Sequence, residues 1–469
     1  MKTSMFGLIL GPLGFLLSYL CIDGALGVGV GLSTWMLFWW VSEALPIAIT
    51  ALLPIIVWPL TAVMPIKEVT ASYGHPIIFL FMGGFVLALA MEKSFLHRRM
   101  ALYMIRLTGS GANAMILGFM IASAFLSMWI SNTATTVMML PIVQSVLQWI
   151  AKEAKDVDKK SMRNFTIALL LGIAYAANIG GMATPVGTPP NLVMLGFARE
   201  HWGMDIDFFS WMAFALPLCI VLIVLCYYLL VSFLFPNNLG DLKQTSNEIS
   251  KELERSGKMS LSEKRVLYIF IATSLLWITR SYIVRWTALP LNDTIIAISA
   301  AVALFICSGS KGKKLLVWKD TEQLPWGILL LFGGGLSLAS GLKETGVIDL
   351  LASFFTNDMS FFLLVFGLTA VSLFLTELMS NVALVTVFVP VVASIALGFG
   401  QAEWTLAIPV TLAASCAFML PMSTPPNAIV FAGGQLKIKN MMRAGIFMNL
   451  IAIIFIFLCC QFLMPYFLS

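Results

Sequence analysis

Charge is what this 469-residue chain has least of: 28 Lys and Arg with 23 Asp and Glu leave only 11% of it charged. A soluble protein of that length carries about twice as much. Histidine is scarce too, and His75, His97 and His201 lack the spacing of metal ligands. The seven Cys (21, 219, 226, 307, 416, 459 and 460) lie mostly in apolar runs and form no CxxC pair. They read as small buried hydrophobes. An intramembrane hydrolase would need an HExxH, a nucleophile elbow or paired membrane Asp, and none is present. The lack of a Walker motif removes ATP-driven pumping. The net charge of +5 comes from basic residues in short loops. It is a topology signal, and nucleic acid is not an expected partner.

What fills the chain is 59% hydrophobic residues, in runs of about 20, enough for a helix to cross a roughly 30 Å hydrocarbon layer. A β-barrel would show short alternating segments instead. The expected fold class is an all-α polytopic membrane protein, surrounded by lipid. Eleven transmembrane helices are expected, near 5–21, 27–42, 46–64, 77–93, 163–179, 208–235, 265–282, 291–308, 325–341, 403–417 and 444–467. The first run lacks a small-residue cleavage site and reads as a span, not a signal peptide. The stretches 113–150 and 358–397 are each too long for one span, and a polar motif interrupts each in its middle. Each is expected to form a re-entrant helical hairpin whose tip stays inside the protein.

Charge placement gives an orientation. Lys93, His97, Arg98, Arg99 and Arg106 precede the first hairpin, and Lys152, Lys155, Lys159, Lys160 and Arg163 follow it. The segment 236–265, the Lys311, Lys313 and Lys314 group, and the cluster Lys437, Lys439 and Arg443 are also basic. The flanks of the second hairpin hold Lys343, Glu344, Asp349, Asp358 and Glu403 and read as external. A cytoplasmic N-terminus and an external C-terminus put all five basic clusters in the cytoplasm.

The polar motif is duplicated. Ser131-Asn132-Thr133 in the first half answers Ser380-Asn381-Val382 in the second. Gly187-Thr188-Pro189-Pro190-Asn191 answers Ser423-Thr424-Pro425-Pro426-Asn427, and Met82-Gly83-Gly84 answers Phe332-Gly333-Gly334. The organisation expected is 1–76 as N-terminal helices, 77–235 as repeat 1, 236–264 as a cytoplasmic linker with a short amphipathic helix, 265–324 as helices and a loop, and 325–469 as repeat 2. The hairpins open from opposite sides, so the repeat is inverted, as in secondary transporters. A channel would favour a symmetric pore. Two half-sites meeting around one ligand make transport the leading hypothesis.

Their chemistry is that of oxygen without charge. Ser131, Asn132 and, one helical turn earlier, Ser127 supply hydroxyl and amide oxygens, and Gly187 lets backbone approach closely. The second half repeats the set with Thr376, Ser380, Asn381 and Ser423. A cage with no carboxylate suits a weakly held monovalent hard cation, and one Na⁺ site is expected in each half. Helix N-termini at the same tips favour an anion. No Lys or Arg stands in the four motifs, so the anion would depend on Na⁺ for charge balance. Na⁺ is the coupling ion, and no cofactor is expected.

These residues resemble the divalent anion:sodium symporter (DASS) family, which carries di- and tricarboxylates or sulfate. The resemblance rests on Trp39-Trp40-Val41-Ser42-Glu43-Ala44-Leu45-Pro46, Ser131-Asn132-Thr133, Asn178-Ile179-Gly180-Gly181, Gly187-Thr188-Pro189-Pro190-Asn191, Thr376-Glu377, Ser380-Asn381 and Thr424-Pro425-Pro426-Asn427. It covers nearly the whole chain in order. It implies a homodimer in the cell membrane (the inner membrane of a bacterium), with a scaffold domain of about 1–76 and 208–308 and a transport domain that moves as an elevator. It also implies a first Na⁺ site at Ser127, Ser131, Asn132 and Gly187, and a second at Thr376, Ser380, Asn381 and Ser423. Substrate carboxylates would meet Asn132, Thr133, Thr188, Asn381, Thr424 and Pro425. The expected activity is Na⁺-coupled symport of a C4-dicarboxylate such as succinate or malate, and not an enzyme reaction. The alternatives are an inorganic dianion such as sulfate, or exchange, on the same scaffold.

One position departs from the family: Val382 stands where many dicarboxylate carriers have Thr. Val is nearly isosteric but donates no hydrogen bond. Acidic residues within apolar segments, Glu43, Glu92 and Glu377, are functional candidates. On a helix Glu377 points about 60° away from Ser380. That favours an ion pair or backbone bracing over proton coupling. The Gly83-Gly84 and Gly333-Gly334-Gly335 runs read as close helix packing, and Trp39-Trp40 as interfacial anchors.

Overall fold

The computed structural model is helical, with two isolated β-bridges, Gly111 to Asp241 and Ser308 to Lys314, among the described residues. The structure describes residues 2–42, 44–153, 158–348, 350 and 360–468, without the side chains of 2–5, 151–153, 311 and 468. Glu43, Lys155, Asp349, Asp358 and the start of the 358–397 stretch lie outside the described residues, as do the side chains of Lys152 and Lys311.

The first half runs α1 (Lys2–Cys21), α2 (Gly24–Ser42), α3 (Ile47–Thr50), α4 (Leu53–Leu60), α5 (Ile66–Ala71), α6 (Pro76–Lys93), α7 (Leu96–Leu107), α8 (Ala112–Ser127), α9 (Asn132–Glu153), α10 (Lys159–Gly181), α11 (Pro189–His201) and α12 (Phe208–Tyr228). The polar segment after it contributes α13 (Lys243–Arg255), whose Thr245, Ile249 and Leu253 are buried on one face. Then come α14 (Leu261–Thr287), α15 (Asp293–Ile306), α16 (Trp326–Glu344), α17 (Phe361–Thr376), α18 (Asn381–Gly398), α19 (Trp404–Ala414), α20 (Pro425–Ala432), α21 (Ile438–Phe462) and α22 (Met464–Leu468).

Among the described residues nine helices are long and apolar enough to cross a membrane, beside six shorter apolar ones. This corrects the even series of eleven. The segments expected near 5–21, 46–64, 291–308 and 403–417 are short. Proline explains 46–64: Pro46 precedes α3, and Pro54 opens α4, where a missing N–H costs nothing. The 403–417 segment stops at Ala414, and its 11 residues span about 16 Å, half of a hydrocarbon layer. Two of the nine, α9 and α18, are second arms of the two long interrupted stretches.

The helices α2 to α5 pack as a second core against α16, through Trp58, Leu331, Leu338 and Leu342. Trp58 Nε1 donates to Ser337 O at 3.1 Å. Trp40 is buried rather than interfacial: it is 1% exposed and donates to Ile47 O. Consecutive glycines of α16 face three different partners. A methyl group on Gly333 would lie 2.3 Å from Tyr73, on Gly334 2.2 Å from Ala51 O, and on Gly335 2.5 Å from Thr386. In lipid such close approach, not burial from water, is what holds helices together. On one end of the bundle, Lys93 pairs with Asp320, Arg98 with Glu252, and Arg99 with Glu263. The flank of the first interrupted stretch, α13 and the 318–323 loop therefore share one face.

Replacing Gly334 by Ala is expected to destabilise by about 1–3 kcal/mol through overpacking. Gly367 on α17 has open space around its Cα, so Gly367→Ala is expected to be neutral, or to stabilise by up to about 1 kcal/mol. Thermal unfolding of the two variants in detergent reads the difference.

Candidate functional site

Two pairs of helix breaks carry the duplicated motifs. The chain leaves α8 at Ser127 and enters α9 at Asn132; it leaves α17 at Thr376 and enters α18 at Asn381. The second breaks run from the end of α10 at Gly181 to Pro189, and from the end of α19 at Ala414 to Pro425. Thr188 and Thr424 both have φ −141° with extended ψ, the conformation a following proline imposes. The Pro-Pro pair then starts each short helix. Four helix N-termini are thus brought to irregular backbone inside the protein, where N–H and C=O groups need internal partners.

The two halves solve that requirement alike. Ser127 Oγ donates to Asn132 Oδ1 at 2.6 Å, and Thr376 Oγ1 stands 2.7 Å from Asn381 Oδ1. Asn191 Nδ2 reaches Gly181 O (3.4 Å) and Thr184 O (2.9 Å), while Asn427 Nδ2 reaches Ala417 O and Leu420 O, both at 3.1 Å. Each asparagine laces carbonyls ten and seven residues before it, and each keeps a buried Oδ1 without a hydrogen-bond partner. Gly187 is seated where a methyl group would lie 2.5 Å from Gly181 O and 2.9 Å from Ser127 O. Ser423, at the matching position, turns its hydroxyl to Leu420 O at 2.7 Å.

Ser127, Asn132 and Gly187 are therefore neighbours, and so are Thr376, Asn381 and the Ala414 carbonyl, which lies 2.7 Å from Thr376 Oγ1. Ser131 is exposed and accepts from Ala134 N at 3.1 Å. Thr133 and Pro425 are exposed, Ser380 and Val382 half-buried, and Thr188, Ser423 and Thr424 buried. Side-chain hydroxyls of Thr133, Thr188 and Ser380 make no hydrogen bond among the described residues. No group of three or more His, Cys, Asp or Glu that would suit a metal ion occurs among them either.

Glu377 is a brace. Its Oε1 accepts from Phe418 N (2.8 Å), Met419 N (2.9 Å) and Asn449 Nδ2 (2.9 Å), and its Oε2 from Leu420 N (3.1 Å). Four donors and no paired cation suit the acceptor-only carboxylate. The residue is 3% exposed, and its donors are three backbone amides and one carboxamide, so an ion pair, one of the roles expected of it, is absent among the described residues. Sequence reasoning carried Asn178, Asn191 and Asn427 within its motifs without giving them a role, and passed over Asn449. Each is a buried carboxamide in an apolar run, and that was the available signal.

The chain matches the profile of the sodium:sulfate symporter transmembrane region over residues 27–467. It belongs to that family. The protein is thus a multi-pass membrane protein of a transporter family, not an enzyme. Among curated relatives, the sodium-dependent dicarboxylate transporter SdcS of Staphylococcus saprophyticus is 41% identical, covering 98% of this chain and 91% of that protein. The SdcS of Staphylococcus aureus strain USA300 is 40% identical with the same coverage. Among solved structures, MtrF of Neisseria gonorrhoeae, described as illuminating a class of antimetabolite efflux pumps, aligns with a TM-score of 0.55 at 12% identity. It covers 87% of this chain and 84% of that one, a likeness of fold alone.

Glu377→Ala is expected to strand four donors at about 1–3 kcal/mol each before relaxation, and to lower the melting temperature more than Glu377→Gln, which keeps one acceptor oxygen. Equal, small losses in both would remove the bracing role.

Proposed function

We propose that the protein is a secondary active transporter that couples the entry of Na⁺ to a C4-dicarboxylate such as succinate or malate. The observation that carries this reading is the matched pair of oxygen clusters, Ser127–Asn132–Gly187 and Thr376–Asn381 with the Ala414 carbonyl, in a chain 40–41% identical to transporters named for sodium and dicarboxylate. Neutral hydroxyl, amide and backbone oxygens favour a monovalent hard cation over Ca²⁺, which takes more carboxylates. In each half the cation would take the free lone pairs of the Asn Oδ1 and of the hydroxyl beside it, with Ser131 and Ser380 completing the sets.

The dianion would lie between the tips. Asn132, Thr133 and Thr188 on one side, and Asn381, Thr424 and Pro425 on the other, would position its carboxylates near helix N-termini. Val382 gives that side one donor fewer. Two cations supply the positive charge that the motifs lack, so substrate binding should collapse without Na⁺.

The movement that goes with this site is an elevator in a homodimer. Residues 1–76 and 208–308 form the scaffold, and the repeats 77–235 and 325–469 carry the inverted, re-entrant hairpins. The linker 236–264 and the N-terminus are cytoplasmic and the C-terminus external, in the inner membrane of a bacterium. The shared face of Lys93, Arg98 and Arg99 with the acidic residues of 252–320 supports putting those segments on one side. Val382 is the observation that favours a second reading, a carrier of sulfate or another inorganic dianion on the same fold.

Uptake of labelled succinate into proteoliposomes, with Na⁺ or K⁺ outside, separates the two. Na⁺-dependent uptake competed by malate and not by sulfate is expected; competition by sulfate alone would favour the second reading. Val382→Thr restores a donor, and a gain of about 1–3 kcal/mol if it reaches the carboxylate would lower KM for succinate by roughly 5- to 150-fold. An unchanged KM would place residue 382 away from the substrate.

A further inference from the structure

Asn178 is 1% exposed in an apolar stretch of α10, and its carboxamide touches the sites of both halves. Its Oδ1 lies 3.5 Å from Asn132 Nδ2, and its Nδ2 donates to Thr424 Oγ1 at 3.1 Å and lies 3.5 Å from Ala417 O. On one side, Asn132 Oδ1 is already the acceptor of the Ser127 hydroxyl. On the other, Thr424 Oγ1 accepts from Asn427 N, and the Asn427 amide holds Ala417 O, Leu420 O and Ser423 Oγ. A polar chain therefore runs through one side chain from Asn132 of the first cage to Ser423, the residue proposed for the second.

That link has no duplicate. Pairing Gly187 with Ser423 pairs Asn178 with Ala414, which has no side chain to donate. A buried carboxamide is costly unless bonded, and bracing one break would need contacts within one half only. This one spends its donor and its acceptor on opposite halves.

We infer that Asn178 is a positioning residue that couples the two cation sites, an inference that rests on the Na⁺-symport reading above. A cation on Asn132 Oδ1 draws electron density from that amide and makes its Nδ2–H a stronger donor to Asn178 Oδ1. The same polarisation passes through Asn178 to Thr424 and fixes the N-terminus of α20 in the arrangement that the second cage needs. Hydrogen bonds in series strengthen one another in this way. The coupling is reciprocal, so the second cation orders the first site equally.

The test is the binding isotherm of radiolabelled Na⁺ on the purified full-length protein, for wild type and Asn178→Ala, with labelled succinate uptake in proteoliposomes measured beside it. The wild type is expected to give a Hill coefficient above one. In Asn178→Ala it falls to one, and half-saturating Na⁺ rises by roughly 2- to 12-fold, the square root of the 5- to 150-fold usual for coupled sites. The succinate KM at saturating Na⁺ is unchanged, which general damage to the fold would not produce. Should Asn178→Ala fail to give monodisperse protein, Asn178→Ser, too short to bridge, carries the same expectation. A Hill coefficient that survives the substitution, or is one already in the wild type, overturns the coupling. Uptake by the wild type that ignores Na⁺ overturns instead the symport reading on which it rests.

Discussion

Backbone that leaves a helix inside a membrane protein must find every hydrogen-bond partner within the protein, because lipid offers none. Everything distinctive about this molecule follows from how that demand is met at its interrupted helices. Asn191 and Asn427 hold the carbonyls of the Pro-preceding breaks, Glu377 gathers the amides of residues 418–420, and Thr184 Oγ1 donates to Met128 O at 2.5 Å. With those groups satisfied, a limited set of oxygens is left over. Those of Ser127 and Asn132, and of Thr376 and Asn381, bond one another across the two motif breaks.

The halves are alike in their carboxamides and unlike in their charge. Position 128 is Met, whereas the corresponding residue of the second half is Glu377, which carries the only carboxylate in contact with a break among the described residues. Glu377 is spent on N–H groups, so both cages present neutral oxygen, while the second is built on a more firmly tied turn. The N-terminal helices, packed against α16 through Trp58 and the closely approached glycines, leave the interrupted helices to pack mainly with one another.

Much of this was legible in the sequence because motif, break and proline coincide. Ser-Asn in the middle of an overlong apolar stretch and Thr-Pro-Pro after a small-residue run located all four breaks within a few residues. The number of full-length spans was not legible. Pro46 and Pro54 divide 46–64, and 403–417 ends early because its C-terminal residues serve the break, neither of which hydropathy reveals. The two tryptophans at 39 and 40 looked interfacial by type and are buried by packing. Partners distant in sequence were invisible as well: nothing local to Glu377 indicates residues 418–420 or Asn449, and nothing local to Asn178 indicates Thr424.

The central claim is that the anion site is completed by cations on two neutral oxygen cages. Titration calorimetry of succinate into the purified protein, in Na⁺ and in an equal concentration of K⁺, addresses it most directly. The account predicts saturable binding in Na⁺ and no measurable binding in K⁺. Equal succinate affinity in the two salts would contradict it.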